Sequence, residues 1–127
     1  MHESEFSIPD IDRTIHEPAR LAILSVLASC ERADFLFLER ATGLTRGNLS
    51  VQLTRLEESG LVEIWKTIER KRTLTTASLT DLGRTNLNSY WESMEAYRAA
   101  AKRLSDSAGK GVKSKRYSRP GLVTVEG

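Results

Sequence analysis

Thr42-Gly43-Leu44-Thr45-Arg46-Gly47-Asn48-Leu49-Ser50-Val51-Gln52-Leu53-Thr54-Arg55-Leu56-Glu57-Glu58-Ser59-Gly60 holds the end of one helix and the whole of the next. Gly43 supplies the left-handed conformation that commonly terminates a helix. Thr45, two residues later, is a good N-cap for another. Leu49, Leu53 and Leu56 then recur at i, i+4 and i+7, a single narrow apolar stripe, before Gly60 closes the helix. Two helices joined by so short a turn must cross steeply.

The stripe commits one face of the second helix to a core and turns the rest outward. Gly47, Ser50, Val51, Thr54 and Arg55 lie on or beside the outward face, with Thr45, Arg46 and Asn48 at its N-terminal end. Reading a DNA major groove requires short polar side chains that permit close approach, an arginine within reach of guanine, and donors for phosphate. This face has each of them. The alternative is a merely solvated helix surface, which suits Glu57 and Glu58 better, since both would repel phosphate.

Upstream, Pro18 suits a first helical turn, and Leu21, Leu24, Leu27 and Ala28 step by three and four, predicting a helix from Pro18 to about Ser29. Asp10 is expected to cap a short turn through Ile11 and Ile15, behind a loose arm of residues 1–9. Glu31-Arg32-Ala33 reads as a polar connector, and Asp34 as the cap of a short helix with Phe35, Leu38 and Ala41 facing inward. Downstream, Leu61-Val62-Glu63-Ile64-Trp65 has strand composition, Lys66 to Arg72 is a charged run, and Thr73 to Leu79 fits a returning strand. Leu74 and Leu79 are an odd number apart, so a bulge, or a turn reaching past Arg72, would be needed to bring them to one face.

Thr80 and Asp81 begin a last helix in which Leu87, Tyr90, Met94, Tyr97, Ala101 and Leu104 step alternately by three and four, with Trp91 widening the stripe. Such a seam faces either the body of its own subunit or a second copy. It continues beyond the length that a small domain covers, which favours a homodimer. From Ser105 the composition turns to Ser, Gly and Lys, and residues 105–127 read as a flexible basic tail after a domain spanning 10–104.

Bulk numbers agree. The chain of 127 residues, 39% hydrophobic and 6% aromatic, holds one core of ordinary size. Residues 1–39 carry eight acids against three bases, and residues 40–127 sixteen bases against nine acids, so an anionic partner should meet the later part. The N-terminal segment lacks the apolar core of a signal peptide, and no apolar run approaches membrane-spanning length. Cys30 is the only cysteine, so a reducing cytoplasm is the expected location. One cysteine and two distant histidines, His2 and His16, are too few for a zinc site, and no catalytic motif or cofactor loop is present. A non-enzyme without cofactor is expected, and the residues name no effector.

The order helix, helix, tight turn, helix, strand, basic loop, strand, helix resembles the winged helix DNA-binding family allied to the MarR and ArsR transcriptional regulators, over Asp12 to Met94. The resemblance rests on Ile15 to Leu24, Thr42 to Ser50, Leu53 to Val62 and Leu79 to Arg84. It implies a mainly α, α+β winged helix-turn-helix fold with a two-stranded wing and a long C-terminal dimerisation helix. The recognition helix would be about 46–58 and the wing about 66–73, where Lys66, Arg70, Lys71 and Arg72 would lie over the phosphates or in the minor groove of double-stranded DNA. This wing departs from the family's pattern in having no glycine, and in Thr73 where proline is frequent. The implied function is that of a homodimeric transcription regulator. A winged helix can also be a protein-interaction module without specific DNA binding.

Overall fold

Local capping sets nearly every helix boundary. The structure, a computed structural model, describes Phe6 and residues 8–109. Helix α1 (Pro18–Ala28) has proline in its first turn and Glu17 as N-cap, whose carboxylate accepts from the backbone N–H of Ala19 and Arg20. A short strand, β1 (Ala33–Asp34), leads into α2 (Phe35–Thr42), capped by Asp34 through the Phe37 N–H and ended by Gly43 at φ 73°. Helix α3 (Arg46–Glu58) starts at the Thr45 cap, whose Oγ1 accepts from the Asn48 N–H. It ends in a Schellman motif: the Gly60 N–H bonds to the Glu57 carbonyl and the Leu61 N–H to the Leu56 carbonyl, with Gly60 at φ 77°. Strands β2 (Val62–Glu69) and β3 (Arg72–Leu79) form a hairpin, and Thr80 caps the long α4 (Asp81–Gly109) by accepting from the Gly83 N–H.

Leu49, Leu53 and Leu56 are buried as the stripe predicts, together with Ile15, Ile23, Leu24, Leu27 and Leu38. Each contributes roughly 1.5–3 kcal/mol by leaving water. Val62 and Ala77 close the core from the sheet side, and Leu87 and Tyr90 from α4.

Several expectations are corrected. The two-stranded wing is joined by a third antiparallel strand, giving the order β1-β3-β2: Ala33, expected in a connector, pairs with Ala77, and Asp34 with Thr76. The charged run is mostly strand, because β2 continues to Glu69 and only Arg70 and Lys71 make the turn. No bulge interrupts the hairpin; pairing is continuous from Val62 with Leu79 to Glu69 with Arg72. Leu74 therefore lies on the opposite face from half-buried Leu79 and is exposed. Ala41 points outward, since the eight-residue α2 buries only Leu38 completely. Asp12 and not Asp10 caps the first turn, accepting from the Thr14 and Ile15 N–H groups. Within the arm, Phe6 stands edge-on to Tyr97 at 5.4 Å between ring centres. Helix α4 passes Leu104 and runs to Gly109, while residues 1–5 and 7 of the arm and the basic tail from residue 110 lie outside the described residues.

Candidate nucleic-acid interface

The tip of the hairpin faces the starts of α2 and α3 across an open groove of about 1320 Å³. Arg46, at the first position of α3, lines it from one side, and Arg70 and Arg72 from the other. Asp34, Glu69, Leu36 and Leu74 complete much of the wall. Arginines outnumber the two lining carboxylates, Asp34 and Glu69, which favours a polyanion, while Glu39 beside the trough pairs with Arg46.

On α3 itself, Gly47, Asn48, Ser50, Val51, Thr54 and Arg55 are all exposed. Thr45 is exposed too, but its hydroxyl oxygen is engaged as the helix cap. The Thr54 hydroxyl donates to the Ser50 carbonyl. Gly47 meets no atom within 4 Å of where a Cβ would sit, so its value is the low profile it gives the helix surface and not an internal contact. Arg55 stands apart from the groove, in a shallow hollow shared with Thr14, Arg20, Glu58 and Ser59. Nearby, burial opposes ionisation of Glu17. The Arg20 and Ala19 backbone N–H groups and the charges of Arg20 and Arg55 outweigh it, holding its pKa below the usual carboxylate value.

The wing is tighter than its sequence implies. Arg70 and Lys71 both adopt positive φ, 51° and 64°, the pattern of a two-residue hairpin turn usually given to Asn and Gly. Strand alternation puts Lys66 on the face opposite Arg72, so the four wing bases do not converge on one surface.

Helix α4 divides the predicted seam. Leu87 and Tyr90 are each 3% exposed within the single chain, and the Tyr90 hydroxyl lies 3.0 Å from His16 Nδ1. These two are core residues of the protomer and are not free to face a second copy. Met94 is half-buried against the same core, whereas Trp91, Tyr97 and Ala101 are exposed and Leu104 is half-buried. Ala100 is buried, whereas Ala101, on the heptad, is exposed.

Three residues of the site escaped the sequence reading. Glu39 on α2 pairs with Arg46, and Arg20 on α1 reaches Gln52, which in turn bonds to Asn48. The i, i+4 spacing of Asn48 and Gln52 was a local signal for the last of these contacts; the others join separate helices and leave no trace in spacing. Among the described residues, no group of three or more His, Cys, Asp or Glu side chains is arranged to hold a metal ion. None of the helices there is long and apolar enough to cross a membrane.

Residues 19–97 match the winged helix DNA-binding domain family. An uncharacterised protein of Methanocaldococcus jannaschii is 37% identical over 71 residues, which is 56% of this chain and 77% of that protein. A transcriptional regulator homologue from Pyrococcus horikoshii OT3 superposes with a TM-score of 0.66 at 29% identity, over 71% of this chain and 89% of its own. A MarR-family regulator from Silicibacter pomeroyi shares the fold at a TM-score of 0.55 and 20% identity, over 81% of this chain and 78% of its own. With MarR-type regulators as its structural neighbours, this chain belongs to the winged helix DNA-binding domain family.

Proposed function

We propose that this protein is a sequence-specific transcriptional regulator that binds double-stranded DNA as a homodimer. Helix α3 enters the major groove and the β2–β3 wing lies on the backbone or in the minor groove. The observation that carries this reading is the common groove: Arg46 of α3 and Arg70 and Arg72 of the wing line one trough, while the opposite face of α3 is committed to the core. Trp91, Tyr97, Ala101 and Leu104 form the part of α4 offered to a second copy, and twofold pairing would set two copies of α3 about one turn of DNA apart, or a multiple of that. The protein works in the cytoplasm, without catalysis or cofactor.

Selection of bound sequences from random duplex DNA, followed by a salt titration of the enriched duplex, tests this. An enriched motif with twofold symmetry and an affinity that falls steeply with salt is expected. Salt-independent binding, or no enrichment, would leave a protein-interaction module as the better description.

A further inference from the structure

A chain of hydrogen bonds crosses from α1 to the start of α3. The Arg20 side chain is only 14% exposed; its Nε donates to the Thr14 carbonyl at 2.5 Å and its Nη1 to Gln52 Oε1 at 3.0 Å. Glu17 Oε2 stands 3.8 Å from the same Nη1. Gln52, half-buried on α3, donates from Nε2 to Asn48 Oδ1 at 3.0 Å. Asn48 is exposed in the first turn of α3, beside Arg46 and Gly47.

The direction of this relay follows from the chemistry of its first member. A guanidinium has five donors and no acceptor. Gln52 must therefore turn its oxygen to Arg20, which sends its amino group to Asn48, and Asn48 must turn its own oxygen inward to receive it. The end of Asn48 left facing outward is the Nδ2 amino group, a pure donor.

Resting on the DNA-binding reading above, we propose that Arg20 is a positioning residue which, through Gln52, makes Asn48 present a donor to DNA. Asn48 then takes a hydrogen-bond acceptor, either a phosphate oxygen or the N7/O6 edge of guanine, and its outward amino group refuses the exocyclic amino groups of cytosine and adenine. The relay also removes the amide's freedom to flip, so the contact is oriented before DNA arrives.

The test is Gln52→Glu, measured on the duplex that the wild-type protein enriches from a random library. A carboxylate has the same shape but only accepts, so it keeps Arg20, draws the Asn48 amino group inward and turns the Asn48 oxygen toward the DNA. Thermal stability should hold or rise while affinity falls on the order of tenfold. Added negative charge would also weaken binding, so the substitution is repeated in an Asn48→Ala background. If the relay acts through Asn48, the further loss there shrinks to about twofold or less; an equal fold-loss in both backgrounds overturns the inference and leaves the DNA reading standing. Arg20→Lys, which is still donor-only, should bind nearly as the wild type does, whereas Arg20→Met should bind more weakly at equal helix content. Should the lysine variant fall as far as the methionine variant, polarity is not what Arg20 supplies. The partner is identified by Asn48→Ala itself: uniform weakening on all duplexes marks a phosphate, and relaxed preference at one position marks a purine edge. A wild-type protein that enriches no duplex overturns the DNA reading, and this inference with it.

Discussion

Glu39 Oε1, on α2, accepts a hydrogen bond from the Nε of Arg46 at the first position of α3, across 2.9 Å. The Arg46 side chain is 77% exposed and that of Glu39 only 20%, so the carboxylate is the fixed member and the arginine the one it orients. With Nε engaged, the two terminal nitrogens of Arg46 remain to face the groove. An ion pair this exposed contributes little to folding, about 0–1 kcal/mol. Its consequence should lie in recognition.

Glu39→Ala is accordingly expected to leave the denaturation midpoint almost unchanged. Affinity for scrambled duplex should hold or rise, because a carboxylate near phosphate is lost, while the ratio of selected to scrambled affinity falls. Arg46→Ala should weaken selected binding by roughly 1–3 kcal/mol if it contacts a base. Competition titrations at fixed salt measure both ratios, and an unchanged ratio for both variants would take the pair out of the interface.

At the wing, replacing Arg70-Lys71 by Asn-Gly should separate stability from binding. Left-handed conformations cost non-glycine residues roughly 1–2 kcal/mol each, and Asn-Gly suits this turn. Urea unfolding should show a more stable variant. DNA affinity should nevertheless drop, and the slope of log affinity against log salt should flatten by up to about 0.9 for each phosphate contact removed. A wing that is only a soluble hairpin would gain stability with no change in slope.

Gly83 has no room for a side chain. A Cβ there would overlap the Leu61 carbonyl oxygen and approach Leu79 Cδ1 to 2.8 Å, and a backbone carbonyl cannot swing aside as a side chain can. Gly83→Ala should therefore destabilise the protein by roughly 1–3 kcal/mol, although alanine favours helix. Chemical denaturation decides this; a neutral or stabilising effect would mean that α4 shifts on the sheet at little cost.

Glu17 gives acid sensitivity of a definite sign. Its folded pKa is lowered, so its stabilising contribution is fully present above the ordinary carboxylate value of the unfolded chain and is lost as pH falls through the folded value. Glu17→Ala should cost about 1 kcal/mol at pH 7 through the lost helix cap, and distinctly less at pH 3. Equal costs at the two pH values would show that the charge is irrelevant to the cap.

The two parts of α4 should respond differently. Leu87→Ala removes a core side chain and should cost roughly 2–5 kcal/mol in protomer stability. Trp91→Glu combined with Leu104→Glu should leave the helix signal intact and yield a monomer by sedimentation, with DNA affinity reduced to that of one half-site. A variant that stays dimeric would place the copy-to-copy contact elsewhere.

What the amino-acid sequence determined by itself was whatever depends on neighbours in the chain. Caps at Asp34, Thr45 and Thr80, the left-handed turns at Gly43 and Gly60, and the Leu49-Leu53-Leu56 stripe follow from rules that act over three or four residues. Tertiary structure decided the rest. Ala33 and Asp34 are a strand only because the edge of β3 offers them unpaired backbone groups, and two residues carry no periodicity of their own. The seam on α4 is one continuous pattern in sequence, yet the body of the protomer covers Leu87 and Tyr90 and leaves Trp91 and Tyr97 exposed, since a pattern marks an apolar face without naming what packs on it. The orientation of Asn48 is set by Arg20 on another helix, and the polarity of a hydrogen-bond chain exists only once the fold has brought its donors and acceptors together.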